Sequence, residues 1–435
     1  MSLGSQPVLL LAEAANPEWS SVPLVGWSHC AAIAKLTGAH VVTQVRNREA
    51  FLRAGWRERV DFTAIDSEAA ARPLWRFDRL LRSTTGLGWT ATTALAALPY
   101  YYFEHLVWQQ FGARIQAGEF ALVHRVTPLS PTTPSTIAAR CQAAGVPFLW
   151  GPINGGVAWP RQFGERRRAE GEWLSYVRDA YKLLPGYRAT RRDAAAVLVG
   201  SRATFEQLPT GVHAKCVYIP ENGIDPARFA RLVEGPVRSP LRIAFVGRLV
   251  PYKGADMLLE AAAPLIRAGL ARVDVIGDGP ELPRLRALVE SEGLTAGVRL
   301  DGWVDNKLLQ DRLVESDVFA FPSIREFGGA VVLEAMALGL VPIVVDYAGP
   351  AELVTDATGF RVPLGTRAEI VARFRALLAE VAANPAGLRA MGMRARQRAF
   401  GLFTWDKKAQ QTLSVYRWVL GDGAKPDFGC PFPDA

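Results

Sequence analysis

Three times between residues 241 and 338 a short apolar run ends in a glycine loop, and this alternation decides the fold class. Leu241-Arg242-Ile243-Ala244-Phe245-Val246 runs into Gly247, and its loop closes at Gly254. Val273-Asp274-Val275-Ile276 runs into Gly277-Asp278-Gly279. Val318-Phe319-Ala320-Phe321 leads to Gly328-Gly329, and Ala330 to Leu338 is then a helix former that stops at Gly339. Apolar runs of this length bounded by glycine read as buried strands. Strand, glycine loop and helix in series build an open α/β sheet, which binds ligands at the carboxyl ends of its strands.

The N-terminal half repeats the alternation less clearly. Val8 to Leu11, Val41 to Val45, Phe120 to Val123, Val146 to Trp150 and Ala195 to Val199 read as strands. A helix from about Gly26 to Leu36 lies between the first two, so this half is also a doubly wound sheet. A chain of 435 residues is long enough for two such domains. The expected division is 1–220 and 221–403, with a terminal helix over about 404–420.

The third glycine loop carries the chemistry. The helix after it is apolar nearly all round, through Val331, Val332, Leu333, Ala335, Met336, Ala337 and Leu338, and such a helix is buried. Glu334 on it therefore needs a donor opposite. Ala330 and Glu334 are four apart and share a face, so Glu334 looks along the helix entrance. Free N–H groups and the positive dipole end suit a phosphate there. Arg248 and Lys253, on the first loop, add two cations at a strand's carboxyl end. One cation at about 4 Å and an effective dielectric of about 20 supplies ~4 kcal/mol to a phosphate before desolvation costs.

Together these segments resemble the retaining GT-B glycosyltransferases of family 4, the glycosyl transferases group 1. Glu326 and Glu334 match the Glu-x7-Glu motif. Gly247-Arg248-Leu249 with Lys253 and Gly254 matches the family's basic loop. Gly277-Asp278-Gly279, Gly302-Trp303-Val304 and Asn222-Gly223-Ile224-Asp225 follow the family pattern, with Glu221 inserted after Pro220. The resemblance implies two Rossmann-like domains facing a central cleft. It implies donor contacts from Gly247, Gly277, Gly279, Trp303, Val304, Phe327, Gly328, Gly329, Ala330, Val331, Val332 and Glu334. Catalytic roles fall to Glu326, Arg248, Lys253 and His124. Here His124 is expected just beyond the strand Phe120 to Val123, facing the donor sugar. Gly26, in a first loop with one glycine where the family often has two, and Asn154 and Gly155 are expected on the acceptor side.

The activity implied is retaining transfer of a hexose from a UDP- or GDP-linked sugar to a hydroxyl of a saccharide or lipid-linked acceptor, in bacterial cell-envelope or exopolysaccharide synthesis. A nucleotide-sugar epimerase of GT-B-like fold and a catalytically silent nucleotide-sugar-binding subunit stay open. No cofactor and no metal are expected, because the chain lacks the Asp-x-Asp element that metal-using GT-A enzymes need.

Composition narrows partner and place. Cysteines at 30, 141, 216 and 430 form no Cys-x-x-Cys pair, which points to a reducing compartment. Met1 to Pro7 lacks the basic start of a signal peptide. The net charge is +8, yet no nucleic-acid recognition motif accompanies it. A basic cluster, Arg166-Arg167-Arg168 with Arg188, Arg191 and Arg192, is either a solvated helix face or a contact for anionic membrane. Gly86 to Phe103 is free of charge, the lower length limit of a membrane span, and reads as a helix pair in the core or at a membrane interface. The expectation is a cytoplasmic protein, peripheral at the inner membrane.

Overall fold

Successive side chains of the first strand, Val8–Ala12, are all buried, and they alternate between two hydrophobic cores. Leu9 and Leu11 enter one core, and Val8, Leu10 and Ala12 enter the other. A strand apolar on both faces belongs inside a parallel sheet covered by helices on either side. That is its position in this computed structural model, which describes residues 6–69, 89–155, 157, 159–163, 181–305 and 308–429.

The chain divides into two units, residues 1–156, 167–221 and 405–435 in the first, and 157–166 and 222–404 in the second. The first unit has, among the described residues, seven parallel strands. They are β1 (Val8–Ala12), β2 (Ala39–Gln44), β3 (Phe62–Ile65), β4 (Leu122–Thr127), β5 (Phe148–Ile153), β6 (Ala196–Val199) and β7 (Cys216–Tyr218). Their order across the sheet is β3-β2-β1-β4-β5-β6-β7. The second unit has six: β8 (Leu241–Val246), β9 (Ala271–Ile276), β10 (Val298–Gly302), β11 (Val318–Phe321), β12 (Val341–Asp346) and β13 (Phe360–Pro363), in the order β10-β9-β8-β11-β12-β13. In each sheet the chain works outward from a central strand and then restarts beside it, at β1/β4 and at β8/β11. Such a switch point opens a crevice beyond the carboxyl ends of the two central strands. In the second unit Val318 of β11 sits beside Ile243 of β8, and Phe319 beside Ala244. Phe245, Phe319 and Phe321 are fully buried there, each worth about 1.5–3 kcal/mol of burial.

Several expected elements are corrected. The first helix is Val22–Ala34, not Gly26 to Leu36. β4 continues to Thr127, four residues past its expected end, so His124 lies inside a strand. The edge strands β3 and β7 were not legible, being short and only partly apolar. Over 86–103 the described part is one helix, Trp89–Gln116, rather than a pair. From Ala97 onward its Tyr100, Phe103, Val107, Phe111 and Ile115 are buried at helical spacing against Leu9, Leu11, Val42 and Val123. That face is core. No helix among the described residues is long and apolar enough to cross a membrane.

The terminal helix Trp405–Val419 belongs to the first unit, where Val415 and Tyr416 are fully buried. Of the basic cluster, Arg166, Arg167 and Arg168 lie outside the described residues. Arg191 is not part of a solvated face: it is buried, and its guanidinium donates to the Tyr187 and Pro131 carbonyls at 3.0 and 2.7 Å. Arg188 is exposed, and Arg192 pairs with Asp193. Cys30, Cys141 and Cys216 are free thiols, all buried.

Candidate functional site

Two loops leave the switch point of the second unit, and a single carbonyl fastens them together. The Tyr252 carbonyl, on the loop after β8, accepts from the Ile324 amide at 3.0 Å and from the Ser323 hydroxyl at 3.3 Å, both on the loop after β11. This staple sets the residues one and two places further on side by side. Lys253 Nζ contacts Glu326 Oε2, with side chains 16% and 17% exposed. The Phe321 ring lies 5.2 Å from the ammonium and the Tyr252 ring 5.9 Å. Burial pushes the Lys253 ammonium down to about 8. Arg248, on the same loop, is exposed and makes no ion pair among the described residues.

Backbone packing explains the glycines. The Gly247 amide donates to the Ile276 carbonyl at 3.0 Å, and the Leu249 amide to the Asp278 carbonyl at 2.9 Å, so the loops after β8 and β9 run against each other without side chains between them. A Cβ on Gly277 would lie 1.9 Å from the Gly247 carbonyl oxygen, and one on Gly279 2.4 Å from that of Leu249. Beyond β10, Trp303 is 73% exposed and Val304 half-buried.

Gly329 caps the helix Ala330–Ala337 in the left-handed region, at φ 64. The amides of Ala330 and Val331, at the helix entrance, find no backbone acceptor among the described residues, as expected of a first turn. Phe327 is half-buried, and its carbonyl is met by Gly349, where a Cβ would lie 1.9 Å away. Gly328 and Val332 are buried, while Ala330 and Val331 are half-buried. Glu334 is partly buried rather than enclosed. Burial pushes its carboxyl up to about 7, opposed by the positive charge of Arg228. The cation facing Glu334 thus comes from the turn that follows Asn222-Gly223-Ile224-Asp225. Arg325 lies along the Trp159 ring at 5.2 Å and donates to the Val157 carbonyl at 3.4 Å.

The structure therefore brings Lys253, Glu326 and the helix entrance of Ala330 together at one switch point, with Arg248 on the same loop as Lys253. It does not bring the four first-unit residues into an open site. His124 is corrected. It is fully buried within β4, its Nδ1 is 2.6 Å from the Tyr416 hydroxyl, and its Nε2 is 2.5 Å from the Gly151 carbonyl. Burial holds it down to about 4. Such a ring is neutral and occupied on both sides, a structural histidine. Gly26 lies inside the first helix, not in a loop. A Cβ there would meet the Ala14 carbonyl at 2.2 Å, so its smallness serves helix packing. Asn154 spends its side chain internally, donating to Glu221 at 2.7 Å and accepting from Ser201 at 2.8 Å and Thr204 at 3.0 Å. Gly155 is bound to the Thr204 hydroxyl through its amide at 3.1 Å and its carbonyl at 3.1 Å.

Sequence reading missed Glu221, which looked like a neutral insertion. It is buried and its carboxyl is pushed up by burial. Lys408, from the terminal helix, is also buried, donates to the Pro220 carbonyl, and is pushed down to about 7. A lysine on the apolar side of an amphipathic helix was the available signal.

Residues 240–380 match the family model described as glycosyl transferases group 1. The chain is 35% identical over 239 residues to the D-inositol 3-phosphate glycosyltransferase of Kineococcus radiotolerans, which covers 48% of this chain and 53% of that protein. It is 30% identical over 225 residues to the GDP-mannose-dependent monoacylated alpha-(1-6)-phosphatidylinositol monomannoside mannosyltransferase of Corynebacterium glutamicum, covering 50% and 57%. The chain thus spans about half the length of these curated relatives. Among solved structures, a glycosyltransferase of Rickettsia africae aligns with a TM-score of 0.62 at 14% identity, over 96% of this chain and 100% of that one. The Anabaena HepE protein in complex with UDP aligns with a TM-score of 0.61 at 16% identity, over 94% and 99%. The fold is GT-B.

Proposed function

We infer a function from one premise: the C-terminal unit of this chain belongs to the group 1 glycosyltransferases, within a GT-B fold. The chain transfers a hexose, with retention at the anomeric carbon and without a metal ion, from a UDP- or GDP-linked sugar to a hydroxyl of a saccharide or lipid-linked acceptor. The reading rests on the meeting of Lys253, Glu326 and the entrance of the helix Ala330–Ala337 at the carboxyl ends of β8 and β11. A leaving nucleoside diphosphate gains negative charge as the glycosidic bond breaks. Arg248 and Lys253 stabilise that charge in place of a metal ion, and the first-turn amides add to them. Glu334 accepts from the ribose hydroxyls, and Glu326 lies toward the sugar. In a front-face route the acceptor oxygen bonds to the anomeric carbon on the side the phosphate leaves, and the departing phosphate oxygen takes the acceptor proton. Envelope or exopolysaccharide synthesis fits relatives whose names include a phosphatidylinositol mannoside mannosyltransferase.

A thermal-shift panel of nucleotide sugars, followed by a transfer assay with the donor that binds, tests this. A ligand at 100 times its dissociation constant stabilises by about 2.7 kcal/mol. The expected result is a shift with one UDP- or GDP-sugar, transfer that survives EDTA, and an α-linked product from an α-linked donor. Inhibition by EDTA that magnesium or manganese reverses refutes the metal-free route. An altered sugar with no acceptor product supports an epimerase, and binding without turnover supports a silent subunit.

A further inference from the structure

Lys253 is already occupied. Its ammonium contacts Glu326, aromatic rings flank it, and the Tyr252 staple holds both loops in that register. Under the proposed function, the same ammonium must bind the diphosphate of the donor. An ammonium this enclosed does not hold a carboxylate and a phosphate at full strength together, because the two anions repel across it.

We propose that Glu326 is the resident occupant of the diphosphate subsite: its carboxylate holds Lys253 until a nucleoside diphosphate displaces it, and it returns to Lys253 as the product nucleotide leaves. This deepens the functional reading and rests on it. Two consequences follow from one contact. The loading step frees Glu326 at the moment the sugar arrives, so its carboxylate turns to the sugar only when a donor is present. The unloading step gives the product a built-in competitor, which keeps a tightly held diphosphate from stalling turnover. Glu326 therefore weakens nucleotide binding while it supports transfer, the opposite of a simple binding residue.

The test is isothermal titration of UDP and GDP into wild type, Glu326→Gln, Glu326→Ala, Lys253→Met and the Glu326→Gln/Lys253→Met double variant, each checked for an unchanged thermal midpoint. With the nucleotide that wild type prefers, both Glu326 variants should bind about tenfold tighter, equivalent to ~1.4 kcal/mol. The gain should vanish in the Lys253→Met background, since only Lys253 couples the two anions. Two Glu326 variants guard against one failing to fold. Equal or weaker binding by both, or a gain that persists without Lys253, overturns the proposal while leaving the transferase reading standing. Failure of wild type to bind UDP, GDP or any sugar derivative of either overturns the reading of function, and this inference with it.

Discussion

Lys253 and Arg248 share a loop but not an environment. Lys253 is enclosed, and burial pushes its ammonium down to about 8, whereas Arg248 stands in solvent. Either one changed to Ala should lower turnover by about 2–3 orders of magnitude, as loss of a preorganised charge does. Steady-state kinetics with the preferred donor checks this, and a loss under tenfold would remove the residue from the phosphate site. The two titrating groups also set a pH window. Glu334 is a carboxylate only above about 7, and Lys253 an ammonium only below about 8. Since kcat/KM reports groups of the free protein, it should rise with pH through about 7 and fall through about 8. Glu334→Gln should abolish the acidic limb and weaken donor binding, with less further loss in turnover. An acidic limb that survives the substitution assigns it to another group.

At the scale of elements, the second unit was the more legible half. Its strands are bounded by glycines whose roles are local: Gly277 and Gly279 let two loop backbones touch, and that need is visible as glycine at the end of an apolar run. Gly277→Ala should therefore cost ~3 kcal/mol, since a Cβ there strikes backbone that cannot swing aside. Gly269→Ala, with the left-handed φ of 70 but nothing within 4 Å, should cost only about 1 kcal/mol. Chemical denaturation of the two variants compares them, and equal losses would deny the clash its role. The first unit was less legible because its decisive contacts are remote in sequence. His124 and Arg125 look like a polar loop, yet both are strand residues. The ring of His124 meets Tyr416, and the guanidinium of Arg125 meets the Thr133 carbonyl at 2.7 Å. Nothing near position 124 announces a partner 292 residues away. Likewise a helix pair was expected over 86–103, although one helix, Trp89–Gln116, passes through Pro99 with its apolar face packed on β1 and β4. Of the candidate site, the motif residues of the second unit were readable by type and spacing. The Tyr252 staple was not, since it depends on a carbonyl that every residue carries.

At the scale of the whole molecule, the net charge of +8 bears on where the chain works. Peripheral attachment to an anionic membrane is an expectation drawn from Arg166, Arg167, Arg168 and Arg188, each basic group near such a surface contributing about 1 kcal/mol that salt screens. Flotation with phosphatidylglycerol vesicles should decline steeply between low and high salt, and Arg166, Arg167 and Arg168 changed together to Ser should reduce it. Equal flotation with neutral vesicles, or none with either, favours an acceptor free in solution. Synthesis and folding, finally, run in different orders along this chain. A ribosome finishes the second unit at Thr404 and only then makes the helix that supplies Tyr416 to the first unit's core. The earlier-made sheet, whose last strand ends at Tyr218, waits while residues 219–404 are made, with the apolar surface that Tyr416 covers left bare. A stalled or prematurely ended nascent chain thus leaves the N-terminal half, though long since complete in sequence, as the half that chaperones must hold.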